Sequence, residues 1–209
     1  MDSNSVYFDS RIPIIKDLGF REAAIDKLKK YIDLVWSANE DLNLVSRKMS
    51  YEDLVDNHVI DSLLPLKHFP KHIKKIADLG SGAGLPAIIY ALHFSTSEFH
   101  LYEKSPKKQD FLKSCSSLVK NFHIHGEIPI SFESIDLVIA RGFKPTDVIL
   151  DMTRNYYNSG GKYYLLKARA EKIEEELQLA TKKFKSLKAE IIKLTSPVLE
   201  VERNLVMIN

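Results

Sequence analysis

The chain has 209 residues, 44% of them hydrophobic and 28% charged, which is enough to bury one substantial core with a small extension but hardly two full domains. A formal net charge of +2 argues against a protein that holds nucleic acid by bulk electrostatic attraction. The single cysteine, Cys115, excludes an internal disulfide or a CxxC metal site. The longest apolar run, residues 85–92, is far shorter than the ~20 residues that span a bilayer, and the N-terminus has no apolar signal segment, so we expect a soluble, cytoplasmic protein without membrane contact or bound metal.

The first 70 residues are predicted to be helical. Apolar side chains recur at helical spacing over residues 25–36 and leave charged residues on the opposite face. A second helix is predicted after Ser50, where Asp53 completes a capping-box pattern, and it should end near His68. We expect its inward face to carry Leu54, Val55, His58 and Val59. Residues 1–70 are therefore assigned to an N-terminal helical extension, and residues 71–209 to a second domain.

From residue 75 onward, short apolar strands alternate with helices. Strands are predicted at 75–80, 99–103, 122–125, 135–140 and 162–167. Helices are predicted at 86–94, 106–120, 145–157 and 169–185, the second of them starting with the N-cap and N1 pair Ser105 and Pro106. This alternation predicts an α/β protein with a mostly parallel sheet and helices on both faces. Two closing runs, 187–195 and 202–209, have only a turn between them and predict an antiparallel hairpin.

The segment I-A-D-L-G-S-G-A-G-L-P, residues 76–86, predicts a strand that runs into a glycine loop and then a helix. Glycines at 80, 82 and 84 tolerate positive φ and let a ligand approach the backbone, and the first N–H groups of the helix face the same place. The next strand ends at Glu103, where a carboxylate can accept both hydroxyls of a ribose. Arg141 falls at a further strand end, the edge where ligands of such sheets bind. The sequence therefore predicts a site for a nucleoside-bearing cofactor.

The glycine spacing separates two classes of cofactor. Dinucleotide loops carry G-x-G-x-x-G, whereas this chain has G-x-G-x-G followed by Leu85, Pro86 and Ala87. With Asp78 two residues before the first glycine, the loop looks like the S-adenosylmethionine loop of class I methyltransferases. The resemblance implies that Asp78 faces the ammonium group of this cofactor. The alternative is an ordinary tight turn in which Asp78 caps a helix.

Further segments extend the resemblance over residues 25–209. In chain order they are N-L-V-S (43–46), N-H-V-I-D-S-L (57–63), the glycine loop, F-L (111–112), D-L-V-I-A-R-G-F (136–143), L-L-K (165–167) and E-R-N-L-V-M-I (202–208). Together they resemble the bacterial small-subunit rRNA guanine-N7 methyltransferases, also called the glucose-inhibited division protein B family. The resemblance implies a class I, Rossmann-like methyltransferase fold. It also implies transfer of a methyl group from S-adenosyl-L-methionine to N7 of a guanosine in 16S rRNA.

The motifs give two sets of site residues, one implied by the resemblance and one that is our own hypothesis. The cofactor-binding set is Asp78, Gly80, Gly82, Gly84, Leu85, Glu103, Gly126, Glu127 and Arg141. The catalytic set is Arg141, Lys167 and Arg203, which we assign jointly to the guanine O6, the RNA phosphates and the cofactor carboxylate. Because guanine N7 carries an available lone pair, no general base is expected. The chain departs from the family where it has His125 in place of an arginine and Ala87 in place of a glycine.

Several assignments stay open. His58 is either a structural histidine, paired with Asp61, or a residue of the active-site rim, and Phe143 is a candidate to stack on a base. We expect the remaining aromatic candidates in the core or at its edge: Tyr102, Tyr156 and Tyr157. The lysines of 104–120 are either a solvated helix face or local phosphate contacts.

We expect a monomer that binds 16S rRNA within the small ribosomal subunit. The alternatives are an S-adenosylmethionine-dependent methyltransferase of another RNA or a small molecule, a nicotinamide-dependent oxidoreductase and a non-catalytic RNA-binding protein.

Overall fold

The N-terminal third of the protein is helical. The computed structural model describes residues 2–46 and 48–209. Helix α1 spans Ser3–Asp17 and α2 spans Ile25–Leu42. Helix α3 is continuous through Tyr51–Leu54, a π-helical stretch at Val55–Ile60 and a last turn at Asp61–Leu63. Short 3-10 helices lie at Glu22–Ala24 and Leu66–His68. The helical prediction for this part of the chain is confirmed, although the helix predicted to end near His68 ends at Leu63.

Local sequence explains where these helices begin and end. Asp2 caps α1, since its Oδ1 accepts a hydrogen bond of 2.8 Å from the backbone N–H of Ser5. The predicted capping box is present at the start of α3, where Ser50 and Asp53 bind each other's backbone N–H groups. Helix α2 ends before its C-cap residue Asn43, whose φ of 50° lies in the left-handed region that asparagine tolerates better than most residues. Each boundary therefore follows from one or two side chains.

The rest of the chain alternates strands and helices as predicted. The strands are β1 Lys75–Leu79, β2 Glu98–Tyr102, β3 Phe122–His125, β4 Leu137–Arg141, β5 Tyr163–Lys167, β6 Ala189–Leu194 and β7 Arg203–Ile208. The helices are α4 Ala87–His93, α5 Pro106–Ser114, α6 Thr146–Met152, α7 Arg154–Asn158 and α8 Ala170–Lys183, with a 3-10 turn at Cys115–Ser117.

Two predicted helices are shorter in the structure. The helix predicted at 106–120 ends at Ser114 and closes with a 3-10 turn, and the one predicted at 145–157 breaks at Thr153 into α6 and α7. The buried Thr153 hydroxyl donates to the Ile149 carbonyl and lies 2.8 Å from the Tyr163 hydroxyl. Such back-bonding of a threonine competes with the regular helix, and Thr153 leaves it with φ −119° and ψ 31°.

Seven strands form a single sheet in the order β3-β2-β1-β4-β5-β7-β6. Every neighbouring pair from β3 to β5 is parallel, and β7 is antiparallel to both β5 and β6. The predicted mostly parallel sheet with a closing antiparallel hairpin is therefore confirmed. Strands β1 and β4 are neighbours whose connections leave in opposite directions, so a crevice opens at their carboxyl ends.

A hydrophobic core covers each face of the sheet. On one face, helices α1 to α5 pack over inward side chains such as Ile76, Phe99 and Leu137. On the opposite face, α6 to α8 pack over side chains such as Ala77 and Val138. The first 70 residues thus share their core with the sheet, and the domain division at residue 70 stays a prediction. Within 2–46 and 48–209, no helix has the length and apolar composition to cross a membrane.

Candidate active site

The glycine loop after β1 combines two close contacts with one open position. Gly80, Gly82 and Gly84 have φ values of +72°, +57° and +85°. A Cβ on Gly80 would lie 2.2 Å from the Phe143 ring, and one on Gly84 would lie 2.4 Å from Ile88. Packing therefore requires glycine at 80 and 84. At Gly82 the nearest atom is a backbone oxygen 3.9 Å away, which leaves room beside the loop for a ligand to touch the backbone.

Glu103 lies directly beside this loop, as the sequence predicts. Its Oε2 accepts a hydrogen bond of 2.9 Å from the N–H of Gly82, and its Oε1 accepts one of 2.8 Å from the N–H of Ser105. The backbone N–H of Glu103 donates in turn to the carbonyl of His125 at the end of β3. The carboxylate is therefore fixed in orientation, and each oxygen keeps a lone pair that a ligand hydroxyl can use.

Asp78 is a buried carboxyl group at the base of the loop. The residue is 1% exposed, and its Oδ2 has no hydrogen-bond partner among the described residues. Burial raises the pKa of Asp78 to about 7, against the opposing effects of the Ser81 hydroxyl and the Arg141 charge. A buried carboxyl with one oxygen unpartnered among the described residues and a pKa near neutral is a fitting counter-charge for a cationic group brought by a ligand.

A cavity of about 830 Å³ opens beside the loop, within the range of ~300–1,000 Å³ that is typical of small-molecule sites. Six of the predicted site residues line it: Gly80, Gly82, Leu85, Arg141, Lys167 and Arg203. The structure therefore brings the three predicted catalytic cations to one cavity, although they come from β4, β5 and β7. Phe143 lines the same cavity and packs against Gly80.

The remaining predicted cofactor residues lie outside the lining of this cavity. Asp78 and Gly84 belong to the loop itself, and Glu103 stands at its other side. Gly126 and Glu127 follow β3, are exposed, and sit at the carboxyl edge beyond Glu103. The Glu127 carboxylate is 3.5 Å from the ammonium group of Lys104. The predicted cofactor set thus runs along the strand ends from the cavity to the β3 edge of the sheet.

Arg141 ends β4 and binds the π-helical stretch of α3. Its Nη2 lies 2.8 Å from His58 Nδ1, and its Nη1 donates to the His58 carbonyl at 3.3 Å. Burial lowers the pKa of Arg141 from its ordinary value. Burial and the charges of Arg141 and Arg203 lower the pKa of His58 to about 4. The structure corrects one pairing: His58 contacts Arg141, and the carboxylate of Asp61 instead accepts from Arg203.

Lys167 and Arg203 are also bound within the protein. The Lys167 ammonium donates to Glu176 Oε2 and to the Lys144 carbonyl, each at 2.8 Å. The same Glu176 oxygen accepts from the N–H and the hydroxyl of Thr146. Arg203 forms an ion pair with the buried Asp61, whose second oxygen has no partner among the described residues. The cations assigned jointly to substrate contacts therefore first hold the cavity wall together.

Sequence reasoning missed Glu176. Helix α8 is amphipathic, and its apolar stripe covers the sheet. Glu176 falls on that stripe, three residues after Ile173, and is 8% exposed. A charged residue at an inward position of an amphipathic helix was the available signal, because such a residue needs a buried partner.

The other aromatic candidates lie in the second core or pack against it. Tyr102 and Tyr156 are buried in the second core, as expected, and Tyr102 stacks on the His125 ring at 4.8 Å. Tyr157 is partly exposed and packs edge-on against Phe184. Within the described residues, no group of three or more histidine, cysteine or acidic side chains has an arrangement that could hold a metal ion.

The strand order, the antiparallel seventh strand and the glycine loop after β1 define a class I, Rossmann-like methyltransferase fold. A putative O-methyltransferase from Klebsiella pneumoniae superposes with a TM-score of 0.58 at 14% identity, with 100% of both chains covered. Fibrillarin from Aeropyrum pernix, solved with natively bound S-adenosyl-L-methionine, gives a TM-score of 0.53 at 15% identity over 72% of this chain and 73% of its own. These likenesses confirm the predicted fold class.

Sequence similarity identifies the family. The family model rRNA small subunit methyltransferase G matches residues 24–206. A protein of Bdellovibrio bacteriovorus named ribosomal RNA small subunit methyltransferase G 1 is 60% identical over 204 residues, which are 98% of this chain and 100% of that protein. The ribosomal RNA small subunit methyltransferase G of Brachyspira hyodysenteriae is 32% identical over 187 residues, 88% of this chain and 90% of its own. The chain belongs to the rRNA small subunit methyltransferase G family, which confirms the resemblance found in its motifs.

Proposed function

We propose that this protein transfers a methyl group from S-adenosyl-L-methionine to N7 of a guanosine in 16S rRNA, as a cytoplasmic monomer that acts on the small ribosomal subunit. The observation that carries the proposal is the cavity of about 830 Å³ that the glycine loop lines together with Arg141, Lys167 and Arg203, in a chain of this family. It has room for a small cofactor and a base together.

The residues at the loop fit this cofactor. Its amino acid part carries an ammonium group, and Asp78 offers a buried carboxyl whose Oδ2 has no hydrogen-bond partner among the described residues. Its ribose carries two hydroxyls, and Glu103 is held in place with lone pairs to spare. At Gly82 a positive φ and open space let the cofactor touch the backbone. We assign Gly126 and Glu127 to the far end of the same ligand, because they follow the strand next to Glu103.

S-adenosyl-L-methionine supplies an electrophilic methyl group on a positively charged sulfur. Guanine N7 presents a lone pair on the edge of the base and requires no proton removal. The task of the protein is therefore to hold the base in line with the methyl group, a positioning effect worth about 7–11 kcal/mol in favourable cases. Arg141 and Phe143 line the cavity together with the glycine loop, and we assign both to the orientation of the base.

The rim of the cavity suits an RNA chain. Four further basic residues line it: Lys108, Lys144, Arg169 and Lys172. This local cluster contrasts with the formal net charge of only +2, so contacts to phosphates would be confined to the mouth of the site. The major groove of an RNA helix is too narrow to admit a protein site to N7. The target must therefore lie in a loop or turn out of the helix.

The proposal is tested with methyl-labelled cofactor and small ribosomal subunits from cells that lack this enzyme. We expect label at N7 of one guanosine of 16S rRNA, located by mass spectrometry of RNA fragments. Arg141→Met should abolish transfer, whereas the matched control Arg154→Met, at an exposed arginine on α7, should retain it. Label on another RNA or only on small molecules would replace the substrate assignment. Failure of the folded protein to bind the cofactor, alone or with subunits, would refute the enzyme assignment.

A further inference from the structure

His58 lines the cavity and has one ring nitrogen that the other described residues do not bind. A guanidinium group has donors only, so the contact of 2.8 Å between Arg141 Nη2 and His58 Nδ1 makes Nδ1 the acceptor. A neutral imidazole with an acceptor at Nδ1 carries its proton at Nε2. The hydrogen bonds among the described residues leave Nε2 without a protein partner, and His58 lines the cavity. The ring therefore offers an N–H group to whatever occupies the site.

Contacts from three arginines restrain the backbone that carries His58. Arg141 binds its carbonyl and ring. Two residues earlier, Asp56 accepts both guanidinium contacts of Arg11, at 3.0 and 3.1 Å. Three residues later, Asp61 accepts from Arg203. Three arginines from α1, β4 and β7 thus converge on the π-helical stretch Val55–Ile60 and its next turn. Such a restraint fixes the direction of a single donor, which is what a base-reading contact needs.

The ring stays neutral at physiological pH. Burial lowers the pKa of His58 to about 4, and the charges of Arg141 and Arg203 act in the same direction, with Asp53 opposing them. A protonated imidazole at this place would add a third cation beside two arginines. The neutral form is therefore the one that meets the substrate, and its donor pattern is a fixed single N–H.

Guanine and adenine differ in the group beside N7. Guanine carries the acceptor O6 there, whereas adenine carries an amino donor. We infer that His58 donates its Nε2–H to O6 of the target guanine and so determines which purine is methylated. This inference rests on the proposed function and goes beyond it. It assigns recognition of O6 to the neutral side chain of His58, because the three cations are already bound within the protein. A donor fixed against the amino group of adenine rejects that base.

The test compares subunits that carry guanosine or adenosine at the methylated position. We expect the wild-type protein to favour guanosine in kcat/KM by roughly 5- to 150-fold, the fold-change for a discrimination of about 1–3 kcal/mol. In His58→Gln, the amide can turn to donate or accept, so the ratio should fall to within about threefold of unity while the affinity for the cofactor stays within about twofold. His72→Gln, at an exposed histidine, is the matched control and should keep the wild-type ratio.

A second measurement needs no variant. With the wild-type protein and reconstituted subunits, hypoxanthine at the target keeps O6, whereas 2-aminopurine lacks it and keeps N7. We expect methylation of hypoxanthine and loss of at least about fivefold in kcat/KM with 2-aminopurine. Equal rates with guanine and 2-aminopurine, or an unchanged purine ratio in folded His58→Gln, would overturn the inference and leave the proposed function standing. Absence of transfer to any subunit by the wild-type protein would instead remove the proposed function itself.

Discussion

Replacing Asp78 with asparagine should stabilise the protein and weaken its hold on the cofactor. The pKa of this carboxyl is raised from an ordinary 3.8 to about 7, chiefly by burial. The folded protein therefore binds the proton more tightly than the unfolded chain does. Below pH 3.8 both states carry the proton, and the residue imposes no cost. As pH rises toward 7 the unfolded chain ionises first, and the stability falls by about 1.4 kcal/mol for each pH unit.

The full loss reaches roughly 4 kcal/mol above pH 7, and because Asp78 is 1% exposed, solvent screening does not reduce it much. Asparagine never ionises, so Asp78→Asn should exceed the wild-type protein in the free energy of unfolding by up to this amount at pH 8, and by about 1–2 kcal/mol at pH 5. Urea denaturation across pH 5–8.5 measures the difference. Asp41→Asn, at an exposed aspartate of α2, controls for the loss of a negative charge.

The cofactor should show the opposite trend. An ammonium group favours the ionised carboxylate, so the wild-type affinity should weaken by up to about tenfold for each pH unit below 7, whereas Asp78→Asn should bind weakly with no such dependence. Calorimetric titration with S-adenosyl-L-methionine measures both. An asparagine variant less stable than the wild type at pH 8, or a stability difference constant in pH, would contradict the assignment of a destabilising buried charge. Wild-type cofactor affinity constant across pH 5.5–7 would contradict the ammonium contact.

Two other sites give sharp expectations. Gly82→Ala and the control Gly160→Ala both place a side chain at positive φ in open space, so each should cost about 1–2 kcal/mol of stability in urea denaturation. Only Gly82→Ala should lower the affinity for the cofactor, by at least about tenfold. Equal cofactor affinities in the two variants would place the ligand elsewhere. Lys167→Met leaves Glu176 buried without its cation and should cost about 3 kcal/mol, with at least half recovered by adding Glu176→Gln. A Lys167→Met protein of wild-type stability that fails in methyl transfer would show that the lysine acts on the substrate.

The fold could be predicted because its determinants are local. Strand and helix periods, the capping box at Ser50 and Asp53 and the glycine spacing all act within a few residues, and the structure has each of them. The break at Thr153 escaped prediction because it depends on a contact with Tyr163 in another strand. A local sequence pattern carries no information about a partner that lies in another strand.

The site could be predicted by position but not by pairing. Parallel strands deliver Glu103 and Arg141 to the same edge, so their approach to the glycine loop follows from topology alone. The partner of Arg203 is 142 residues away in sequence, and that of Arg141 is 83 residues away. Neither sequence separation corresponds to a helix or strand repeat, so no sequence pattern reveals these partners. The π-helical stretch that carries His58 and the helical turn that carries Asp61 have no sequence signature that we could use.

These distant pairings solve an electrostatic problem that the proposed reaction creates. A cationic methyl donor must enter a cavity lined by Arg141, Lys167 and Arg203, and two like charges 4 Å apart repel by about 4 kcal/mol at an effective dielectric constant of 20. Glu176 holds Lys167 and Asp61 holds Arg203, so two of the three cations reach the cavity with their charge matched. The carboxylates of α3 and α8 therefore let the site keep rigid hydrogen-bond donors without becoming too positive to admit its own cofactor.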